Sequence, residues 1–240
     1  MRMNFKKTPT IIYLCVLPLL ISLGIWQLNR ATQKSLIIEQ RQAGMAATEV
    51  VHLSDSTEDN IDFLKYKNVR LQGHYDDAHQ FLIDNQISAG KVGYLVLTPF
   101  ILLDGSRSVL VNRGWVPLNA NRTILPELKL KSNPVEVTGR LNSFPSVGIK
   151  LAGAETPSSG WPSVVQVVDS HVLADKLGIE LFTFQVELDK ELPDGFKREW
   201  QVNTIMLPEQ HIAYAVQWFA LAATLTGLFF LYSKKNNKDE

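Results

Sequence analysis

Two long apolar stretches stand near the ends of the chain and enclose a segment in which apolar and polar residues alternate. The first covers residues 8–29 and holds no charge between Lys7 and Arg30. At 1.5 Å per helical residue, about 20 residues cross the hydrocarbon core of a bilayer, so this run is long enough to span one. The second covers residues 212–233, also without charge, and is closed by Lys234 and Lys235. Trp218 lies near its outer end and Tyr232 at its inner end, where interfacial aromatics collect. A cleaved signal peptide is the rival reading of the first run, because Arg2, Lys6 and Lys7 form a positive leader. The run is longer than an apolar signal core of about 7–15 residues, and it ends in Trp26-Gln27-Leu28-Asn29-Arg30 rather than in small residues. The small residues between 43 and 47 come only after a polar, charged stretch. A retained transmembrane helix is therefore expected, bent at Pro18. Ala223 and Gly227 are spaced to let the second helix approach the first closely, with lipid-tolerant filling as the bland alternative.

Basic residues set the expected orientation. Arg2, Lys6 and Lys7 precede the first helix, and Lys234, Lys235 and Lys238 follow the second. Both tails then favour the cytoplasmic side, and the middle segment lies outside, in the periplasm of a bacterium. The resulting plan is a tail at 1–9, transmembrane helix at 10–29, helical extension or stalk at 30–60, β-rich domain at 61–207, transmembrane helix at 211–232 and tail at 233–240.

Within the middle segment, Val69, Leu71 and Gly73 alternate with Arg70, Gln72 and His74, the period of a strand with one buried face. Further strands are expected at 81–83, 93–99, 100–103, 108–112, 135–141, 164–168, 181–187 and 199–204. Asp104-Gly105 between two β-rich runs signals a hairpin. One helix is expected at 170–177, capped by Asp169 or Ser170 and stopped by Gly178. Residues 142–162, rich in Gly, Pro and Ser, read as a long loop. Antiparallel strands dominate, which predicts a β-rich α+β domain, closed or partly closed as a barrel, between two transmembrane helices.

Composition narrows the function. Formal net charge of +0 leaves no excess basic surface for nucleic acid, and 45% hydrophobic residues can fill a core. The one cysteine, Cys15, lies in the first apolar run, so the outer domain has no internal disulfide and no Cys-x-x-Cys site. Copper handling would want clustered Cys or Met on the outer side, and Met206 stands nearly alone there. No nucleophile elbow, H-E-x-x-H, Walker or dinucleotide-binding motif occurs, which argues against an enzyme, including a membrane-anchored hydrolase. His74 and His79 are not spaced to bring two ligands onto one strand face and read as solvated. Asp169-Ser170-His171 has the residue types of a triad, but neighbours in sequence cannot assemble one; capping explains them.

The informative stretch is the outer end of the second helix. His211, then Tyr214 or Ala215, Trp218 and Ala222 share a stripe at helical spacing. A neutral imidazole is a good axial ligand for haem iron, and aromatic rings pack along a porphyrin. An interfacial belt would use the same residues. On the first helix, Ser22, Trp26 and Arg30 form a second stripe. Arg30 is suited equally to a haem propionate and to a lipid phosphate.

Five segments then occur in order: Leu23-Gly24-Ile25-Trp26-Gln27-Leu28-Asn29-Arg30; Lys34; Gly93-Tyr94 through Thr98-Pro99; Val109-Leu110-Val111-Asn112-Arg113-Gly114-Trp115-Val116-Pro117; and His211-Ile212-Ala213-Tyr214-Ala215-Val216-Gln217-Trp218-Phe219. The chain resembles the surfeit-locus family of cytochrome c oxidase assembly factors across both helices and most of the domain. The resemblance implies a non-enzymatic maturation factor, or chaperone, in the bacterial inner membrane. It implies binding of haem a, and help in placing it in the large oxidase subunit, with His211 carrying over as the family's haem-associated histidine. The alternative is a haem-free docking factor that stabilises an oxidase assembly intermediate or recruits a haem-synthesis enzyme. Tyr214, Trp218, Trp26 and Arg30 are the other candidate haem contacts, and His211 the candidate iron ligand. Two departures stand out: Glu209-Gln210 where the family often has Asn-Asn, and Gln33 where it often has an aromatic. Asn112, Arg113 and Trp115 read mainly as a strand end with a permissive Gly114 and a packed Trp115, and secondarily as a surface for docking the partner.

Overall fold

Helix α1 (Lys7–Ala46) and helix α4 (Pro208–Lys235) carry the two apolar runs in a computed structural model that describes residues 7–53, 61–103, 105, 107–146, 151–200 and 206–235. Arg2, Lys6 and Lys238, which bear on orientation, lie outside the described residues, as do Asp104 of the expected turn and residues 201–204 of the last expected strand. Both helices are long and apolar enough to cross a membrane, by length and composition. The chain divides into two compact units, Met1–Glu39 with Val202–Glu240, and Gln40–Gln201.

The first unit is an antiparallel helix pair. Its seam follows the three- and four-residue spacing of a helix face. At one end the Tyr13 ring stacks on Phe229 at 4.2 Å, and Tyr13 shares a hydrogen bond with Thr226. In the middle Gly24 faces Phe219, where an added Cβ would sit 2.6 Å from the ring. That contact corrects the expectation for the small-residue pair. Ala223 and Gly227 face away from the seam, with nothing within 4 Å of a Cβ added at Gly227. Pro18 is accommodated inside α1, which continues unbroken.

The second unit is the expected β-rich domain. It contains β1 (Val50–Val51), α2 (Ile61–Leu64), β2 (Asn68–Tyr75), β3 (Phe81–Ser88), β4 (Lys91–Leu102), β5 (Ser108–Pro117), β6 (Glu136–Asn142), β7 (Ser163–Val165), α3 (Ser170–Leu177) and β8 (Leu181–Leu188). Strands β2, β6, β8, β5 and β4 form a closed five-stranded barrel, because the end of β2 pairs back onto the end of β4. All neighbouring pairs in the barrel are antiparallel except β5 with β8. The first half of β4 instead pairs with β3, whose far edge takes β7 in parallel. The sheet order thus runs from the two-residue β1 to the three-residue β7.

Alternation explains the barrel interior. Val69, Leu71 and Tyr75 of β2 point inward with Phe100, Val109, Val111, Leu141, Phe184 and Val186. A second cluster, Phe81, Ile83, Leu97, Leu110 and Leu173, seats α3 against the outside of β3, β4 and β5. Strand β5 is therefore buried on both faces. Each such Leu or Phe contributes about 1.5–3 kcal/mol by leaving water.

Local chemistry delimits α3. The Asp169 carboxylate accepts from His171 N at 3.1 Å, and Gly178 ends the helix in a left-handed conformation at φ 72°. Two strand expectations change. Strand β3 runs on past Ile83 through a bulge in which Asn85 takes φ 58°, so polar Asp84-Asn85-Gln86 belongs to a strand. Glu199 and Trp200, expected in a strand, lie outside any; the Trp200 indole donates to the Leu188 carbonyl at 2.8 Å.

One buried carboxylate makes the domain's stability pH-dependent. Glu187 of β8 is buried, and burial raises its pKa, partly offset by the Asn142 amide donating to Oε1 at 2.7 Å. The folded domain thus binds this proton more readily than the unfolded chain. The group's favourable contribution is complete below the ordinary glutamate range and is lost as pH rises through the raised value. Glu187→Gln keeps an acceptor for Asn142 without the buried charge. It should raise stability by about 1 kcal/mol at pH 8, roughly 3 °C in Tm, and leave it unchanged at pH 4. Thermal unfolding at the two pH values checks this; equal gains at both would refute it.

Candidate functional site

The site residues belong to the two units and are described unit by unit. In the helix pair, His211 sits in the first turn and a half of α4 and is 6% exposed. Its Nδ1 lies 2.7 Å from Oε1 of Gln27, an α1 residue in the same seam. Ala215 and Ala222 continue the buried stripe below it, and Trp218 is half-buried. Small residues at 215 and 222 keep the helices close enough for two short polar groups to meet.

The other candidates point elsewhere. Trp26 is 54% exposed and Tyr214 45% exposed. Arg30 is exposed, and its guanidinium donates to Gln33 Oε1 at 2.9 Å. Tyr214 therefore does not share the buried stripe; Ala215 does. Yet these side chains are not scattered. At about 100° per residue, Arg30 and Tyr214 each lie about 60° back from the seam residues Gln27 and His211. Because the helices run antiparallel, those two rotations carry them to the same flank of the pair. Trp26 lies further round that flank and Trp218 at its border. The pair thus presents one flank with an indole, a guanidinium and a phenol beside a buried imidazole.

In the β-rich unit, the Asn-Arg-Gly-Trp segment is the latter half of β5. Arg113 is 1% exposed. Its Nε donates to the Asp194 carbonyl at 2.7 Å, and Nη1 donates to Gln80 Oε1 at 2.9 Å and the Leu128 carbonyl at 3.1 Å. The guanidinium also lies 5.0 Å over the Phe196 ring. Burial lowers the Arg113 pKa, opposed by Tyr75 and Asp194 nearby. Asn112 is equally buried; its amide donates to Gln185 Oε1 at 3.0 Å, and its own oxygen accepts from Gly114 N. Gly114 takes φ 111°, the permissive backbone expected there. Asn112 and Arg113 thus present no surface for docking. Trp115 is half-buried, with its indole donating to the Gln86 carbonyl at 2.9 Å and Lys197 5.9 Å from its ring.

His74 is exposed on β2, whereas His79 pairs with Asp76 at 2.7 Å and packs edge-on against Trp161. Among the described residues no group of three or more His, Cys, Asp or Glu is placed to hold a metal ion. The residue that sequence reasoning passed over is Gln27. Its signal was available: it is a polar residue inside an apolar run, at seam spacing from Gly24 and Ala31.

The chain matches the SURF1 family over residues 14–223. It is 26% identical over 223 residues to a SURF1-like protein of Rickettsia bellii, covering 90% of this chain and 87% of that one. It is 28% identical over 235 residues to Surfeit locus protein 1 of Xenopus tropicalis, covering 89% and 71%. With the Arabidopsis thaliana Surfeit locus protein 1 it shares 24% over 267 residues, covering 90% and 74%. The match takes in most of both apolar helices, the barrel strands and the seam with Gln27 and His211, and the chain belongs to the SURF1 family.

Proposed function

We propose that this protein is a membrane-bound, non-enzymatic assembly factor for cytochrome c oxidase that binds haem a through His211 and assists its insertion into the large oxidase subunit. The observation that carries the reading is the imidazole of His211 at the outer end of α4, with Nδ1 engaged by Gln27 so that Nε2 is the nitrogen left to carry a lone pair. That donor chemistry fits a haem. When bound, haem a supplies an iron centre that accepts a nitrogen ligand and propionates that accept hydrogen bonds. Arg30, exposed on the adjoining flank, offers a fork of donors suited to a carboxylate. Trp26, Trp218 and Tyr214 supply flat apolar surface beside it. Both terminal helices anchor the chain. Lys7 and Lys234 at the ends near Tyr13 and Tyr232 favour cytoplasmic termini, with the β-rich domain in the periplasm of a bacterial inner membrane. The β-rich domain then faces the oxidase subunit or a haem-synthesis enzyme.

The test is a visible spectrum of the full-length protein purified from cells that make haem a, beside His211→Ala. Haem should co-purify with the wild type and fall at least tenfold in the variant. Unchanged haem content in His211→Ala removes His211 as ligand. Oxidase subunits co-purifying with no haem would support the docking factor in its place.

A further inference from the structure

We infer that Gln27 is a positioning residue that decides which nitrogen of His211 carries the proton. The inference rests on reading His211 as the haem ligand. Gln27 and His211 come from different helices, yet their polar atoms meet at 2.7 Å inside the seam. His211 is 6% exposed, so water is largely kept from competing for the ring. With Oε1 of Gln27 as acceptor, Nδ1 must be the donor. A neutral imidazole carries one ring proton, so the lone pair is then fixed on Nε2. This is the arrangement in which a metal-binding histidine is held by an outer hydrogen bond at its other nitrogen.

The kind of acceptor matters as much as its position. A carboxylate at that place would draw the Nδ1 proton strongly and make Nε2 more basic, which favours tight, lasting ligation. A neutral amide orients the ring while polarising it less. It therefore holds the imidazole ready without making it a strong ligand, as suits a protein that must hand its haem on. The small residues Gly24 and Ala215 along the seam let the helices approach closely enough for this bridge. Gln27 Oε1 is the hydrogen-bond partner that the seam gives the ring.

The experiment uses full-length protein in detergent micelles, haem-free and labelled with 15N-histidine. The chain holds 5 histidines, and the spectrum of His211→Ala identifies the His211 signals by difference. Wild type should show the Nδ1–H form. Gln27→Met, similar in size and helix-compatible but without the amide oxygen, should lose that preference. Gln27→Glu should restore it. The same samples are titrated with haemin, read at the Soret band. Gln27→Met should raise the Kd about 10–100-fold. Gln27→Glu should bind at least as tightly as wild type and release haemin more slowly to an apo-globin acceptor. An unchanged tautomer in Gln27→Met overturns the inference, and so does a changed tautomer with unchanged haemin affinity. If wild type and His211→Ala bind haemin equally, the ligand assignment fails instead. The tautomer spectra separate the two failures, because they require no haem.

Discussion

Gly73→Ala should leave the β-rich domain unable to close its barrel. Gly73 sits where β2 leaves β6 and pairs with β4, opposite Leu102. A Cβ added there would lie inside contact distance of the Ile101 carbonyl and 2.8 Å from the Phe100 ring. The obstacle is backbone already committed to a strand, so it cannot swing aside as a flexible side chain would. Relief requires parting β2 from β4, which opens the one pairing that converts the sheet into a cylinder. Phe100 and Tyr75, packed edge to face at 5.0 Å beside this junction, would separate as well. Overpacking a core typically costs about 1–3 kcal/mol, and here the lost strand pairing adds to it, giving about 4 kcal/mol or more. Against a total of about 5–15 kcal/mol, that leaves little margin. Protease resistance and thermal unfolding of the full-length protein in detergent read the effect. A variant with wild-type Tm would mean that the junction is far more compliant than its geometry.

The second large effect is expected at Arg113. Its guanidinium joins three separate segments: Gln80 at the start of β3, Leu128 in the long β5–β6 connection, and Asp194 after β8. Arg113→Leu preserves bulk and removes every donor. The half-buried Asp194 carbonyl then loses that partner, the Leu128 carbonyl keeps only the Gln80 amide at 3.3 Å, and Gln80 keeps only the Thr98 hydroxyl at its oxygen. At about 1–2 kcal/mol for each of the three lost hydrogen bonds to the charged group, the loss totals about 3–5 kcal/mol, or a Tm lower by about 10 °C. Arg113→Lys restores the charge but not the fork and should recover less than half. Equal Tm values for wild type and Arg113→Leu would show the network to be energetically idle.

What could be seen in the sequence was what adjacent residues decide for themselves. Helix α3 begins and ends as expected because Asp169 and Gly178 act on atoms within a few residues. Strand β2 was legible because Val69, Leu71 and Gly73 alternate with polar neighbours. The closed barrel was legible only as a class, since the Gly73–Leu102 pairing joins positions that no local pattern links. Polar residues misled in both directions. Asp84-Asn85-Gln86 lay beyond the strand expected at 81–83, yet a bulge absorbs it into β3. The segment beginning Glu199-Trp200 looked like a strand, but Trp200 is held by its indole instead. At the candidate site, helical spacing found His211 and Trp218 but gave no zero of rotation. It could not tell that Tyr214 points outward and Ala215 inward, nor that Gln27 rather than Trp26 or Arg30 meets the imidazole.

The brevity of the two outermost strands has a consequence for life at high local density. A sheet normally leaves two rows of unpaired amides and carbonyls, and another molecule can add to them. Here the sheet stops at two residues on one side, β1, and three on the other, β7. Each offers an incoming strand only two or three residues, and where β3 runs on past β7 it does so through a bulge that breaks the regular row of donors and acceptors. Copies of the domain that meet edge to edge should therefore resist zipping into aggregates.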